Sequence, residues 1–254
     1  MRDRLKDRAI IVVGSATGIG AATVARLAAE GAYVCAADIK IDGAQAVAER
    51  AVAAGGRAFA VEVDITDEAS VNAAFAAALD TLGRLDGAHI NAADLRTIFA
   101  DSNALDVDLA VFDRTIAVNL RGHLLCTRQA IPQMLSRGGG ALVYTSSNSA
   151  FIGESERPCY AMAKAGINAL MRHVASRWGR QGIRANAVAP GLVLNKDNPK
   201  LIPEDVKAAA LAGTRSTRLG TPDDIAAMVV HLLSDNGAWI NGQVISVDGG
   251  WTMR

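Results

Sequence analysis

Aromatic residues are scarce in this chain, 4% of 254, which rules out a core built on stacked rings. Half of the residues are hydrophobic, so the interior must be made from Ala, Val, Ile and Leu. That composition suits a parallel sheet covered on both faces, whose strands read as short aliphatic runs. Neither charge is in excess, since Lys+Arg and Asp+Glu each number 26. This balance removes the electrostatic case for nucleic acid or an anionic membrane as a partner. Cysteine is rare, and Cys35, Cys126 and Cys159 show no CxxC pair and no Cys/His ligand spacing. A disulfide framework and a structural zinc are therefore not expected, and no metal site is assigned. Long hydrophobic runs are missing too. The charged segment Met1 to Arg8 precedes only Ala9 to Val13, too short for a signal peptide. Nothing approaches the ~20 apolar residues of a membrane span. The expectation is a soluble, cytoplasmic protein.

What the chain does have is an alternation of strand and helix signals. Strands are expected at Ala9–Val13, Ala32–Asp38, Arg57–Val63, Leu85–Asn91, Ala141–Ser146, Ile183–Ala189 and Gln243–Val247. Between them lie helices Gly18–Glu30, stopped by Gly31, and Gly43–Ala54, stopped by Gly55-Gly56. A third helix opens at Asp67 and Ser70 and runs to Leu82. An irregular stretch, Ala92–Asn103, precedes a long helical region reaching Leu135. Further helices run from Tyr160 to about Gly182, from Pro203 for a short length, and over Pro222–Ser234. Seven strands with helical crossovers predict a Rossmann-type α/β fold. It is a doubly wound parallel sheet with helices on both faces, in a single domain spanning 1–254. No internal repeat or low-complexity linker divides it.

The first strand runs into Gly14-Ser15-Ala16-Thr17-Gly18-Ile19-Gly20, a G-x-x-x-G-x-G turn. Glycines there let the backbone turn tightly and let a pyrophosphate approach a helix N-terminus, where free N–H groups favour negative charge. Such a cluster also serves plain helix–strand packing. Asp38 ends the second strand, 18 residues after Gly20, where a carboxylate can accept hydrogen bonds from both ribose hydroxyls of a dinucleotide. The same charge repels a 2′-phosphate, and neither Ile39 nor Thr17 supplies a compensating cation. NAD is favoured over NADP. Asp64-Ile65 ends the third strand at the same edge of the sheet, and Asp64 reads equally as a cap before Thr66-Asp67.

Tyr160 and Lys164 are four residues apart, so in a helix they share one face, and Ser147 lies thirteen positions before Tyr160. An ammonium beside a phenol favours the phenolate, and a serine hydroxyl can share a substrate oxygen with that phenol. This pattern predicts proton transfer at an alcohol or a carbonyl, with Lys164 lowering the pKa of Tyr160. His89, His123, His173 and His231 have no ligand or triad spacing and receive no chemistry. Cys159 reads as a small packing residue, and Glu154-Ser155-Glu156-Arg157 as a solvated run bordering the site.

Together these residues resemble the short-chain dehydrogenase/reductase family over essentially the whole chain. The family's TGxxxGxG appears with Val13 in place of Thr. Its Asn-Asn-Ala-Gly appears as Ile90-Asn91-Ala92-Ala93, departing at the first and last positions. Asn119 matches its helix asparagine, and Ser147, Tyr160 and Lys164 match its catalytic serine, tyrosine and lysine. Ile183 to Gly191 is similar to the segment leading to the nicotinamide, with Asn195 where the family usually has Thr, and Val247-Asp248-Gly249-Gly250 also fits. The resemblance implies cofactor contacts from Gly14, Ser15, Thr17, Gly18, Ile19, Gly20, Asp38, Ile39, Asp64, Ile65, Asn91, Ala92, Ala93, Pro190, Gly191 and Val193. It also implies contacts from Tyr160 and Lys164, which holds the ribose hydroxyls. Asn119 would hold a water linking Lys164 to solvent, its other reading being a buried hydrogen-bonding residue of a long helix. The implied function is an NAD-dependent oxidoreductase acting on a secondary alcohol or ketone, as a homotetramer. Two alternatives are an NADPH-dependent 3-oxoacyl thioester reductase, against which Asp38 argues, and a non-catalytic nucleotide-sensing scaffold. The scaffold predicts loss of one of the four catalytic residues, and all are present. Substrate choice is expected in the segment 192–219, beside the apolar Phe151, Ile152, Leu192, Val193 and Leu194.

Overall fold

Aliphatic runs form strands and the Ala-rich stretches between them form helices, following the preferences of β-branched and small side chains. The strands are β1 (Ala9–Val13), β2 (Tyr33–Asp38), β3 (Arg57–Glu62), β4 (Gly87–Ile90), β5 (Gly140–Thr145), β6 (Ile183–Pro190) and β7 (Val244–Val247). The helices are α1 (Gly18–Ala29), α2 (Ile41–Ala53), α3 (Glu68–Leu82), α4 (Leu109–Ile116), α5 (Gly122–Leu135), α6 (Pro158–Trp178), α7 (Glu204–Gly213) and α8 (Pro222–Leu233). The computed structural model describes residues 3–195 and 202–253, so part of the expected substrate segment, 196–201, lies outside the described residues.

All strand pairs are parallel, in the order β3-β2-β1-β4-β5-β6-β7. The direction of winding reverses between β1 and β4, and a crevice opens there beyond the carboxyl ends of the strands. The pleat of β1 divides the core in two. Ile10 and Val12 pack with Leu27 of α1, Val47 of α2 and Val229 of α8, whereas Ile11 and Val13 pack with Phe75 of α3, Met134 of α5 and Met171 of α6. A sheet buried on both faces in this way explains why its strands are continuous aliphatic runs rather than alternating ones.

The helix ends carry recognisable chemistry. The Asp67 carboxylate accepts from the Ala69 amide to start α3, and Gly83, at φ 72°, ends it in the left-handed region. α8 opens with a reciprocal capping box between Thr221 and Asp224 and with Pro222 in its first turn. Several boundaries differ from expectation, most of them by a residue or two, as where β4 covers Gly87–Ile90 rather than Leu85–Asn91. α2 starts two residues before Gly43, with Asp42 in a first turn that favours negative charge. α6 stops at Trp178 and passes into a single turn, Gly179–Gln181, before Gly182. The long helical region before Leu135 is interrupted by a wider, π-type turn, Ala117–Arg121, with Asn119 at its centre.

Candidate active site

The glycine turn is tight enough to exclude side chains. A Cβ on Gly14, whose φ is +86°, would lie 2.5 Å from the Ala92 backbone, and one on Gly20 would lie 1.9 Å from the Gly14 carbonyl oxygen. Asn91 ties the two loops together, its amide Nδ2 donating to the Gly14 carbonyl at 2.8 Å. Thr17 occupies the N-cap of α1 without a side-chain capping bond, and no acid stands in the first turn. The dipole and amides of that turn are therefore left for an anion. Asn195 reaches the same place from beyond β6, its amide nitrogen 3.6 Å from where a Cβ on Gly18 would be.

Asp38 leaves the end of β2 with its carboxylate fixed by two backbone amides, Ala16 at 2.9 Å and Lys40 at 2.9 Å. Ile39 beside it is exposed. Asp64 takes the capping role read as its alternative, but for a turn rather than a helix. Its Oδ1 accepts from the Thr66 amide and hydroxyl at 2.8 and 2.7 Å, and Asp67 caps α3. Ile65 is buried, and a Cβ on Gly122 would strike it. Ala92 and Ala93 follow Asn91 along the crevice. Pro190 is the buried end of β6, Gly191 packs against Asp248, and Val193 bridges to Gly220. Tight glycines, an uncapped helix N-terminus and a rigidly held carboxylate fit an adenine dinucleotide.

Tyr160 and Lys164 stand one turn apart on α6, and Ser147 follows β5. Ser147 is buried at the base of the crevice, its hydroxyl donating to Asn148 Oδ1 at 3.4 Å and accepting from the Ser149 amide at 3.2 Å, and its nearness favours ionisation of the Tyr160 phenol. Lys164 is 1% exposed, and its Nζ donates to the Thr145 carbonyl at 2.9 Å. Burial pushes its pKa down to about 7. Asn119 is fully buried. Its Oδ1 accepts from the Asp94 amide at 2.9 Å, and its Nδ2 has no partner among the described residues, leaving a donor for a water. The structure thus brings Ser147 and Lys164 beside Tyr160, with Asn119 on the π-type turn that packs against α6.

One expectation is overturned. Tyr160 is not lowered by Lys164 but raised above the ordinary phenol value. Loss of solvation outweighs the Ser147 hydrogen bond and the Arg157 charge, both of which pull the other way, and Glu154 opposes ionisation further. The Lys164 ammonium sits 5.6 Å from the ring centroid, bound to a carbonyl, and is itself partly deprotonated near neutrality.

Other residues around the pocket escaped the sequence. The Thr145 hydroxyl donates to Asn91 Oδ1 at 2.9 Å, so the His89 Nε2 that faces it at 2.8 Å must be the donor of that bond. His123 donates from Nε2 to the Ala92 carbonyl at 2.9 Å. Burial pushes both imidazoles down to about 3, so they act as neutral struts beneath the cofactor loop. Asp94, just past that loop, is gripped by Arg96 and Arg114, and the Arg96 guanidinium holds its carboxyl far below the usual range. Only the position of Asp94 directly after Ala93 could have drawn attention to it.

The chain is similar to known proteins over nearly its whole length. A family model described as enoyl-(acyl carrier protein) reductase matches residues 14–252. The chain is 39% identical to a probable short-chain type dehydrogenase/reductase of Bradyrhizobium diazoefficiens, over 97% of this chain and 88% of that one. It is 37% identical to cis-4-hydroxycyclohexanecarboxylate dehydrogenase of Sinomonas cyclohexanicum, over 99% of both chains. Identity to levodione reductase of Leifsonia aquatica is 35%, over 97% of this chain and 95% of that one. Among solved structures, the crystal structure of gox2181 matches with a TM-score of 0.92 at 30% identity, over 98% of each chain.

Proposed function

The chain belongs to the short-chain dehydrogenase/reductase family, an oxidoreductase family that binds nicotinamide cofactors, and we propose that it interconverts a small secondary alcohol and its ketone with NAD. The observation that carries this is the convergence of Tyr160, Ser147 and Lys164 at the carboxyl edge of the sheet, beside a glycine turn backed by Asp38. The nicotinamide, when bound, supplies or accepts the hydride. Tyr160 exchanges the proton at the substrate oxygen, and the Ser147 hydroxyl steadies that oxygen as its charge changes. Lys164 would hold the nicotinamide ribose, and Asn119 Nδ2 would hold a water through which the site trades protons with solvent. Pro190, Gly191 and Val193 would line the nicotinamide end of the crevice. Asp38 accepts from the adenosine ribose hydroxyls and repels a 2′-phosphate, which selects NAD over NADP.

The relatives named for levodione and for a hydroxycyclohexanecarboxylate favour an alicyclic or similarly compact substrate, as does the apolar run Leu192 to Leu194. Assembly as a homotetramer in the cytoplasm belongs to the same proposal. Leu124 of α5 and Met162 of α6 lie exposed on helices that a second copy would cover, and among the described residues no helix is long and apolar enough to cross a membrane. The test is a panel of cyclic and open-chain secondary alcohols with NAD and NADP, read as absorbance of the reduced cofactor. A kcat/KM for NAD at least about tenfold above that for NADP is expected. Equal use of the two would remove the role given to Asp38, and no turnover across the panel would remove the reaction.

A further inference from the structure

The helix that carries Tyr160 and Lys164 does not cap itself. Its N-cap residue, Arg157, has φ 68° and makes no side-chain capping bond, and Pro158 in the first turn has no amide proton to offer. The next two amides, those of Cys159 and Tyr160, are orphans of the helix start. Both are taken by one carboxylate from a distant loop. Asp101 Oδ1 accepts from the Cys159 amide at 3.2 Å and Asp101 Oδ2 from the Tyr160 amide at 2.8 Å. Intrahelical bonding begins only with Ala161, whose amide reaches the Arg157 carbonyl at 3.1 Å. The Arg157 amide in turn donates to the carbonyls of Asp101 and Ser102 at 3.0 and 2.8 Å. Asp101 is 2% exposed, in a loop whose neighbours Ala100 and Asn103 face solvent.

We propose that Asp101 is a positioning residue for Tyr160, its carboxylate bridging the Cys159 and Tyr160 amides so that the first turn of α6 stays in register with Ser147. The proposal deepens, and rests on, the role of Tyr160 in proton transfer given above. A helix frays from its ends, and Tyr160 sits in the turn that would fray. Lys164 sits one turn deeper, buried and bonded to Thr145. Removing the cap therefore acts on the phenol and spares the lysine. Proton transfer and cofactor binding come apart.

The experiment compares Asp101→Ala and Asp101→Asn with the unmodified protein. For Asp101→Ala, kcat for alcohol oxidation should fall by about 10- to 100-fold while the Kd for NAD stays within about twofold. The rising limb of the kcat/KM profile should move to higher pH, because the Ser147 hydrogen bond that lowers the phenol is weakened. Hydrogen exchange at the Cys159 and Tyr160 amides should quicken at least about tenfold, with Ile167 to Met171 unchanged. Asp101→Asn keeps one acceptor oxygen and should recover part of kcat. An Asp101→Ala variant with unaltered kcat, pH profile and exchange would overturn the proposal. So would one that loses turnover, NAD binding and folded fraction in equal proportion with an unmoved profile, since that is plain instability. If the alanine variant does not fold, the asparagine variant carries the same readings. If the unmodified protein turns over no alcohol, the proposed reaction falls, and exchange at the two amides still decides whether Asp101 holds the turn.

Discussion

Replacing Lys164 with Met should make the cofactor-free protein more stable at pH 6 and less stable at pH 10. Methionine matches the length of the lysine stem, so packing is nearly conserved. The Lys164 ammonium is buried, and its pKa falls to about 7 in the fold from 10.5 in a free side chain. Below pH 7 both folded and unfolded chains hold the proton, and the fold bears the whole cost of burying it. Converted at about 1.4 kcal/mol per tenfold change in proton affinity, that cost is on the order of 5 kcal/mol. Between pH 7 and 10.5 the unfolded chain binds more protons than the folded one, so stability rises with pH through that window. Above it the lysine is neutral in both states and keeps its bond to the Thr145 carbonyl, which the methionine variant leaves unpaired at about 1–3 kcal/mol. The variant should therefore gain about 2–4 kcal/mol at pH 6 and, because the unfolded lysine still holds most of its proton at pH 10, lose only about 0–2 kcal/mol there, with the sign changing between. Tyr160 and the buried thiols titrate in both proteins and cancel in the difference. Urea unfolding of both at five pH values reads it directly. A stability difference that does not change with pH, or a variant weaker at pH 6, would refute the reasoning.

Tyr160→Phe keeps the ring and removes the proton carrier, and single-turnover hydride transfer should slow by about 10²–10⁴ with NAD still bound by fluorescence. An unchanged rate would hand the proton to Ser147 or a water. Ser147→Ala should push the alkaline rise of alcohol oxidation to higher pH, because the hydroxyl lowers the phenol, so its defect should shrink as pH rises; a parallel profile would count against that contact. Gly20→Ala places a methyl against the Gly14 carbonyl and should cost about 3 kcal/mol, or roughly 6–12 °C in Tm, along with NAD affinity. Normal melting with normal binding would show that the turn can open. Leu194→Ala and Asn195→Ala should change KM or substrate ranking with Tm nearly intact, and unaltered kinetics in both would move substrate choice elsewhere.

The strands, the crossover helices and the grouping of Ser147, Tyr160 and Lys164 were legible in the sequence because each depends on local composition or fixed spacing, whereas Asn119 stood out only through the family resemblance. Ile10 to Val13 reads as a strand because both faces of β1 are covered. Tyr160 and Lys164 read as a pair because four residues make about one helical turn. What could not be read depends on distant partners. The widened turn at Asn119 has no periodic signature, and the stretch read as irregular, Ala92–Asn103, conceals Asp94 and Asp101, whose partners include Arg114, Asn119 and Tyr160. The direction of the Tyr160 shift escaped for another reason. Spacing places the lysine nearby, but only burial decides that desolvation outweighs it.

The strand order also bears on how the protein can be made. Read along the chain, β2 docks on β1, β3 on the outer edge of β2, β4 on the bare edge of β1, and β5, β6 and β7 each on the strand before. No strand ever has to be inserted between two that are already paired. A chain emerging from its N-terminus can therefore extend its sheet in the order of synthesis, always at an open edge. Gly14, Asp38 and Asp64 all lie in the first three strand–loop units, so the half of the crevice proposed for the adenosine takes shape before Ser147 or Tyr160 exists. Until β7 arrives, each new edge is a row of unpaired amides and carbonyls. The outer edge of β3 stays open throughout, and a second adhesive border moves outward with every strand from β4 on.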